Sequence, residues 1–251
     1  YKAGPDFLDP QLLSLSAGCE SVNLDTWMSS HTHVQHLYNK YGEKADVCIT
    51  EGVAALFDGY RRMQGSSAEM AKLLNLPIIL LINARMAGYS TAPIIYGFKH
   101  FCSGVRIAGV IFNQVSSAAH FMHLREACAD AGVDCLGYIP SSEIFKLPSK
   151  HTSWTQATRQ QMDEQVNQIA KLIESHIDLD RILNRCNRSF PCQYTLPYHS
   201  DAEFEDQIIP SKKIRIAISK DSAFNFTYRE NIARLNQIGN ITYFSPVHGH
   251  E

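Results

Sequence analysis

A chain of 251 residues, 45% of them apolar, can bury a sizeable core and form more than one unit. Its net charge of −2 at pH 7, with 11 histidines counted neutral, gives no electrostatic footprint for nucleic acid or an anionic membrane surface. The longest apolar stretch, Leu76 to Asn83, is too short to span a bilayer, and no leader peptide is spelled out. The seven cysteines show no metal-type spacing, and Cys128 and Cys135 form neither a CxxC motif nor a redox pair, so the chain reads as reduced and cytoplasmic.

Lys2 falls at a strand end, and the run Val47-Cys48-Ile49-Thr50 predicts a strand that feeds a glycine-rich turn. A helix is expected from Ser67 to Leu74. Pro77 to Ile82 is almost continuously apolar, as a strand buried on both faces of a parallel sheet would be. Helices over Thr91–Cys102 and Ala118–Ala131 then alternate with strands over Val105–Phe112 and Cys135–Pro140. Met162, Val166, Ile169, Ile173 and Ile177 keep helical spacing, and a shorter helix spans Leu179 to Cys186. Three prolines and little periodicity mark residues 187–211 as a linker. The pattern restarts with strands at 213–218 and 241–244 around a helix from Tyr228 to Ile238. The fold class is therefore α/β, a doubly wound and mainly parallel sheet, with ligands beyond the carboxyl ends of the strands. The expected organisation is a first domain over 1–186, the linker, and the opening βαβ unit of a second domain over 212–251. A chain cut at both ends is expected, since it starts at Tyr1 and stops soon after that unit.

Four acids, Asp6, Asp9, Glu51 and Asp58, stand beside Gly4, Pro5, Pro10, Gly52 and Gly59. Carboxylates on turns after strands suit Mg²⁺ beside phosphates, and Asp9 and Glu51 are the expected metal ligands. Taken singly, Asp6 or Asp9 is ordinary turn material that bonds its own backbone. Lys2 can neutralise a phosphate, although a lone lysine at a strand end is more often solvated. Asn113 follows a strand and can pair with both edges of an adenine, a role that competes with ordinary loop use. His31, His33 and His36 fit no tetrahedral metal pattern, and Ser116-Ser117 lacks a nucleophile elbow. No G-x-x-x-x-G-K-[ST] phosphate loop occurs in these residues.

Lys2 to Pro10 resembles the K-x-G-P-D-[YF]-[IL]-D-P block of the cobyrinate a,c-diamide synthase family. Asn23-Leu24-Asp25-Thr26-Trp27-Met28 is similar to its N-L-D-x-W/F-M. Glu51 to Gly59 follows E-G-V-M-G-L-F-D-G, with Ala54-Ala55 in place of Met-Gly. Gly109 to Asn113 resembles G-V-I-L-N, and Ala223 to Tyr228 with Phe244-Ser245-Pro246 resembles the start of the family's glutaminase domain. The resemblance implies a P-loop synthetase domain of the dethiobiotin-synthetase type followed by a class I glutaminase. It implies Mg²⁺ and ATP at Asp6, Asp9, Glu51, Asp58, Lys2 and Asn113, the corrin at Phe7 and Leu8, and glutamine as the amide donor. Cobyrinate or hydrogenobyrinate would be amidated on its a and c carboxylates, and the fragment alone would be inactive. A cobyric acid synthase or a non-catalytic nucleotide-binding module are the alternatives, and an exposed edge on the half-domain suggests a homodimer. The family's Arg-His-Leu-Gly-Leu block appears here as Lys150-His151-Thr152-Ser153-Trp154, a departure in that loop.

Overall fold

Two short strands and three helices make the first packing unit of the computed structural model, which describes residues 1–145, 156–187 and 213–249. Strand β1 (Lys2–Ala3) runs parallel to β2 (Asn23–Leu24), with Lys2 opposite Asn23 and Ala3 opposite Leu24. The other edge of β1 meets Glu51: Glu51 N donates to Tyr1 O at 3.0 Å and Ala3 N to Glu51 O at 2.8 Å. The strand expected at Val47–Thr50 is thus corrected to a single bridge at Glu51. β1 ends after Ala3 because Gly4, at φ 77°, turns the chain away.

Helix α1 (Asp9–Ala17) carries Pro10 in its first turn, which its fixed φ suits, and stops at Gly18 in the left-handed conformation. Helix α2 (His31–Gly42) starts where the Ser30 hydroxyl accepts His33 N at 3.2 Å. Helix α3 (Ser67–Leu73) starts the same way, with Ser66 Oγ accepting Glu69 N. Their inner faces bury Leu24, Val34, Tyr38, Leu73 and Leu74 against β1.

Strands β3 (Pro77–Asn83), β4 (Arg106–Val115) and β5 (Cys135–Pro140) form a parallel sheet in the order β3-β4-β5. The crossovers are α4 (Thr91–His100) and α5 (Ala118–Asp130), as parallel pairing requires. Val110, Phe112, Ile95 and Leu124 are fully buried between sheet and helices. Two expectations are corrected here. β4 continues through Asn113 to Val115, and β3 is not covered on both faces, since Leu81 is 61% exposed. Among the described residues β3 pairs with β4 alone, which makes it an edge.

Helix α6 (Gln156–His176) packs on β5 through Gly137, whose φ of 132° and missing side chain admit the His176 carbonyl. Asp178 N then donates to Leu136 O at 2.9 Å, and α7 (Leu179–Cys186) brings Arg181 and Arg185 onto Asp134. Nearly all of the expected linker and the whole Lys150–Trp154 block lie outside the described residues.

The last unit is β6 (Ile214–Ser219), α8 (Arg229–Ile238) and β7 (Gly239–Phe244), the two strands parallel with Ile214 opposite Gly239. It docks on the first unit. Tyr228 Oη donates to Pro5 O at 3.1 Å, Arg229 pairs with Glu20 at 3.2 Å, and Glu230 takes both Lys40 and the Tyr41 hydroxyl.

Candidate active site

Lys2 sits where the first strand meets both acid-bearing loops. Its Nζ lies 3.0 Å from Asp9 Oδ2 and 3.4 Å from Glu51 Oε1, and it donates to Gly52 O at 3.0 Å. The residue is only 4% exposed, which replaces the solvated-lysine alternative with a buried, fully engaged cation. A buried ammonium persists only where such partners replace its water. Burial alone would lower its pKa, but the hydrogen bond to Asp9 and the charge of Glu51 outweigh that, and the net shift is upward. Lys2 is protonated at neutral pH.

Side chains hold the surrounding backbone. Asp6 Oδ1 accepts Leu8 N at 2.8 Å and Asp9 N at 3.0 Å, so one carboxylate oxygen of Asp6 fixes the turn that delivers Asp9. Asn23 Nδ2 donates to Gly4 O at 3.0 Å and Asp6 O at 2.7 Å and pins that turn to β2. On the other side, Ser67 Oγ accepts Val53 N and donates to Val53 O, both at 2.8 Å. Gly52 is pressed so closely on this hydroxyl that an added Cβ would lie 2.5 Å from it. Asn23 and Ser67 are functional positions that the sequence did not single out. Asn23 lies in a quoted motif block and Ser67 opens an expected helix, yet neither residue type gives a hint of its partner.

The four acids do not form one cluster. Asp9 and Glu51 meet at Lys2, Asp6 acts on the turn, and Asp58 is exposed with no hydrogen bond or ion pair on its carboxylate among the described residues. Beside Asp58, Phe57 stacks on Phe98 with ring centres 5.7 Å apart, which anchors this loop to α4. Phe7 projects into solvent and meets Phe226 at 6.2 Å, while Leu8 is half-buried at the start of α1.

Asn113 lies in β4, opposite Asn83 and Ile139, at the carboxyl end of the sheet. Its side-chain oxygen accepts the Gln114 amide at 2.8 Å, the local use that competes with adenine recognition. Gln114 adopts φ 61°, a left-handed conformation that non-glycine residues rarely take. A cleft of about 380 Å³ opens there between Arg85, Gln114, Ser141, Ser142 and Glu143. Nearby, Ser116 Oγ lies 3.1 Å from His120 Nδ1, and His120 Nε2 lies 2.6 Å from Ala87 O, a pairing that ties the β4–α5 turn to the loop after β3. The sequence also gave no sign that Cys128 and Cys135 would meet. The turn after α5 returns the chain to β5, and a hydrogen bond from Cys128 holds the Cys135 thiol below its ordinary value.

The carboxylates around Lys2 are the candidate donor set for a magnesium ion. Among the described residues no three His, Cys, Asp or Glu side chains gather around one point. Mg²⁺ needs no such cage, since it takes one or two carboxylates and completes its octahedron with water and phosphate oxygens. Asp9 and Glu51, 25% and 46% exposed at their side chains, fit as that pair.

No family model and no solved structure matches the chain. Among curated proteins, it is 35% identical over 251 residues to the cobyrinate a,c-diamide synthase of Saccharolobus solfataricus, covering 98% of this chain and 55% of that protein. The same named protein of Dehalococcoides mccartyi strain CBDB1 is 35% identical over 253 residues, 99% of this chain and 54% of that one. That of Archaeoglobus fulgidus is 34% identical over 253 residues, 98% and 53%. The chain spans about half the length of the curated relatives it matches. Over that half, it is similar in sequence to proteins named cobyrinate a,c-diamide synthase.

Proposed function

We propose that the protein carrying this chain amidates the a and c carboxylates of cobyrinate in cobalamin biosynthesis, with ATP and glutamine as co-substrates and an acyl phosphate as intermediate. The observation that carries the reading is the convergence of Lys2, Asp9 and Glu51, from two separated motif blocks, on one buried ammonium. Residues 1–186 would be the P-loop-type synthetase half, with the phosphate loop outside these residues, and 212–251 the start of the glutaminase half. The opening unit of that half rests on the Pro5–Phe7 turn, a placement that suits delivery of ammonia to the acid site.

In this mechanism the substrate carboxylate attacks the γ-phosphorus of ATP, the bond from that phosphorus to the β–γ bridging oxygen breaks and ADP leaves, and the new acyl phosphate is a good electrophile where the free carboxylate was not. Magnesium held by Asp9 and Glu51 would neutralise charge on the phosphates. Lys2 offsets the charge of the two carboxylates and fixes their separation. Asp6 and Asn23 hold the turn in place, and Phe7 offers an apolar wall against water. The Asp58 carboxylate, without a partner among the described residues, would be available to the reacting groups. Ammonia then displaces phosphate and leaves an amide.

Protein expressed from its complete reading frame, given cobyrinate, glutamine and Mg-ATP, is expected to yield two successive amidations by mass. Asp58→Asn should abolish both while leaving the fold intact. ATP binding without amidation of any corrinoid would reject this reading in favour of a nucleotide-binding module.

A further inference from the structure

A second cleft, of about 770 Å³, opens along α3 on residues that take no part in the acid site. His31, Arg61, Arg62 and Lys72 line it, with Glu69 as the one carboxylate. That carboxylate is already engaged: Glu69 Oε2 accepts Gly65 N at 2.6 Å and Thr26 Oγ1 at 3.4 Å, and Oε1 lies 3.9 Å from His31. Arg61, Arg62 and Lys72 are exposed and have no carboxylate partner among the described residues. Arg62 is also held at φ 55°, a left-handed conformation that a long side chain adopts at some cost.

At the rim stands an aromatic pair. Trp27, 69% exposed, meets Tyr60, 61% exposed, edge to face at 4.6 Å. The Tyr60 ring rests on Gly65, where an added Cβ would lie 2.8 Å away. The chain joins this rim to the chemistry. Gly59 N donates to Arg62 O at 2.8 Å and Tyr60 N to Gln64 O at 3.0 Å, so the arginine hairpin begins directly after Asp58. Helix α3 likewise holds the Gly52–Val53 loop through Ser67 and lines the cleft with Lys72.

We propose that this cleft is a subsite for the non-reacting carboxylates of a large, flat, polycarboxylic substrate, with the Trp27–Tyr60 pair packed on its ring face. The identity of that ligand rests on the function proposed above, whereas the charge of the cleft does not. A substrate modified at two of several carboxylates presents the remainder to the protein as anions. Guanidinium forks bind carboxylates in pairs of hydrogen bonds, and exposed aromatic rings supply the apolar contact a macrocycle needs. A cluster of unpaired cations also draws a polyanion from solution, an attraction that salt weakens.

The test is calorimetric titration of the full-length protein with cobyrinate and, separately, with benzene hexacarboxylate, with ATP titrated in parallel. Arg61→Gln/Arg62→Gln is expected to weaken both polycarboxylates by about tenfold or more and to flatten their salt dependence. ATP affinity should stay unchanged, and in turnover KM should rise while kcat holds within about twofold. Trp27→Ala should weaken cobyrinate by about fivefold and benzene hexacarboxylate far less. If wild type binds and amidates cobyrinate but the arginine variant binds it equally well, the subsite is overturned and the function stands. If wild type neither binds nor amidates cobyrinate, the function fails and benzene hexacarboxylate decides the cleft. Arginine-dependent binding then keeps a polycarboxylate site, and absent or arginine-independent binding overturns it.

Discussion

The acid-bearing turns and the β3–β5 sheet obtain their geometry in opposite ways. In the sheet, a backbone ladder of seven residue pairs between β3 and β4 and five between β4 and β5 sets positions, and side chains such as Val110 and Phe112 fill the space. Around Lys2 the strands are two residues long, and the turns are held by side chains bonding to backbone: Asn23 to Gly4 and Asp6, Asp6 to Leu8 and Asp9, Ser67 to Val53. A sheet tolerates loss of any one polar contact because the ladder remains. A turn held by side chains does not, so small changes there should move the site more than they move the stability.

The largest stability loss should come from the sheet. Phe112→Ala empties a fully buried site and should cost about 4 kcal/mol in urea unfolding, while the KM values of the folded protein stay near wild type. Lys2→Met should cost less, about 2 kcal/mol, because Asp9 and Glu51 keep partial hydration once the cation is gone. Its effect on turnover should exceed that of Phe112→Ala by at least about a hundredfold, since the two carboxylates would repel. A Lys2→Met protein that turns over normally would show that the acid-bearing turns keep their geometry without the buried cation. Asn23→Ala should cost about 1.5 kcal/mol and release the Gly4–Asp6 turn, visible as faster amide exchange at Leu8 and Asp9.

Smaller effects belong to the docked unit. Tyr228→Phe removes one hydroxyl from Pro5 O and should cost under about 1 kcal/mol. Asp221 accepts hydrogen bonds from Phe224 N and Ala223 N on one oxygen, and from Ser245 Oγ and Val247 N on the other. The Phe224 bond and the others hold its carboxyl down at about 2, against an ordinary 3.8. Because the folded value is the lower one, this contribution is complete above the ordinary value and is lost as pH falls through about 2. Amide shifts of Phe224 and Val247 should titrate together in that window and stay flat above it.

This division also explains what was legible in the sequence. Continuous apolar runs at Pro77–Ile82 and Val105–Phe112 announce strands, since burial alone fixes their place. Strand β2 and helix α1 leave little trace in the sequence. Two residues carry no period, and Pro10 following Asp9, a usual helix-start signal, looked like another turn. The acids themselves stood out by their turns and by the family resemblance. The turn-fixing bonds of Asp6 are local and fit its reading as turn material, whereas the meeting of Asp9 with Glu51 at Lys2 joins segments that no spacing links. The Trp27–Tyr60 pair was hidden for the same reason.

In the proposed reaction the Lys2–Asp9–Glu51 centre promotes phosphoryl transfer to a substrate carboxylate. That transfer is tested most directly by following ¹⁸O from carboxylate-labelled cobyrinate into inorganic phosphate during turnover of the full-length protein. An acyl phosphate predicts one labelled oxygen in phosphate for each amide formed, with both lost in Asp9→Asn. Amide formed with unlabelled phosphate, or full label transfer in Asp9→Asn, would contradict it.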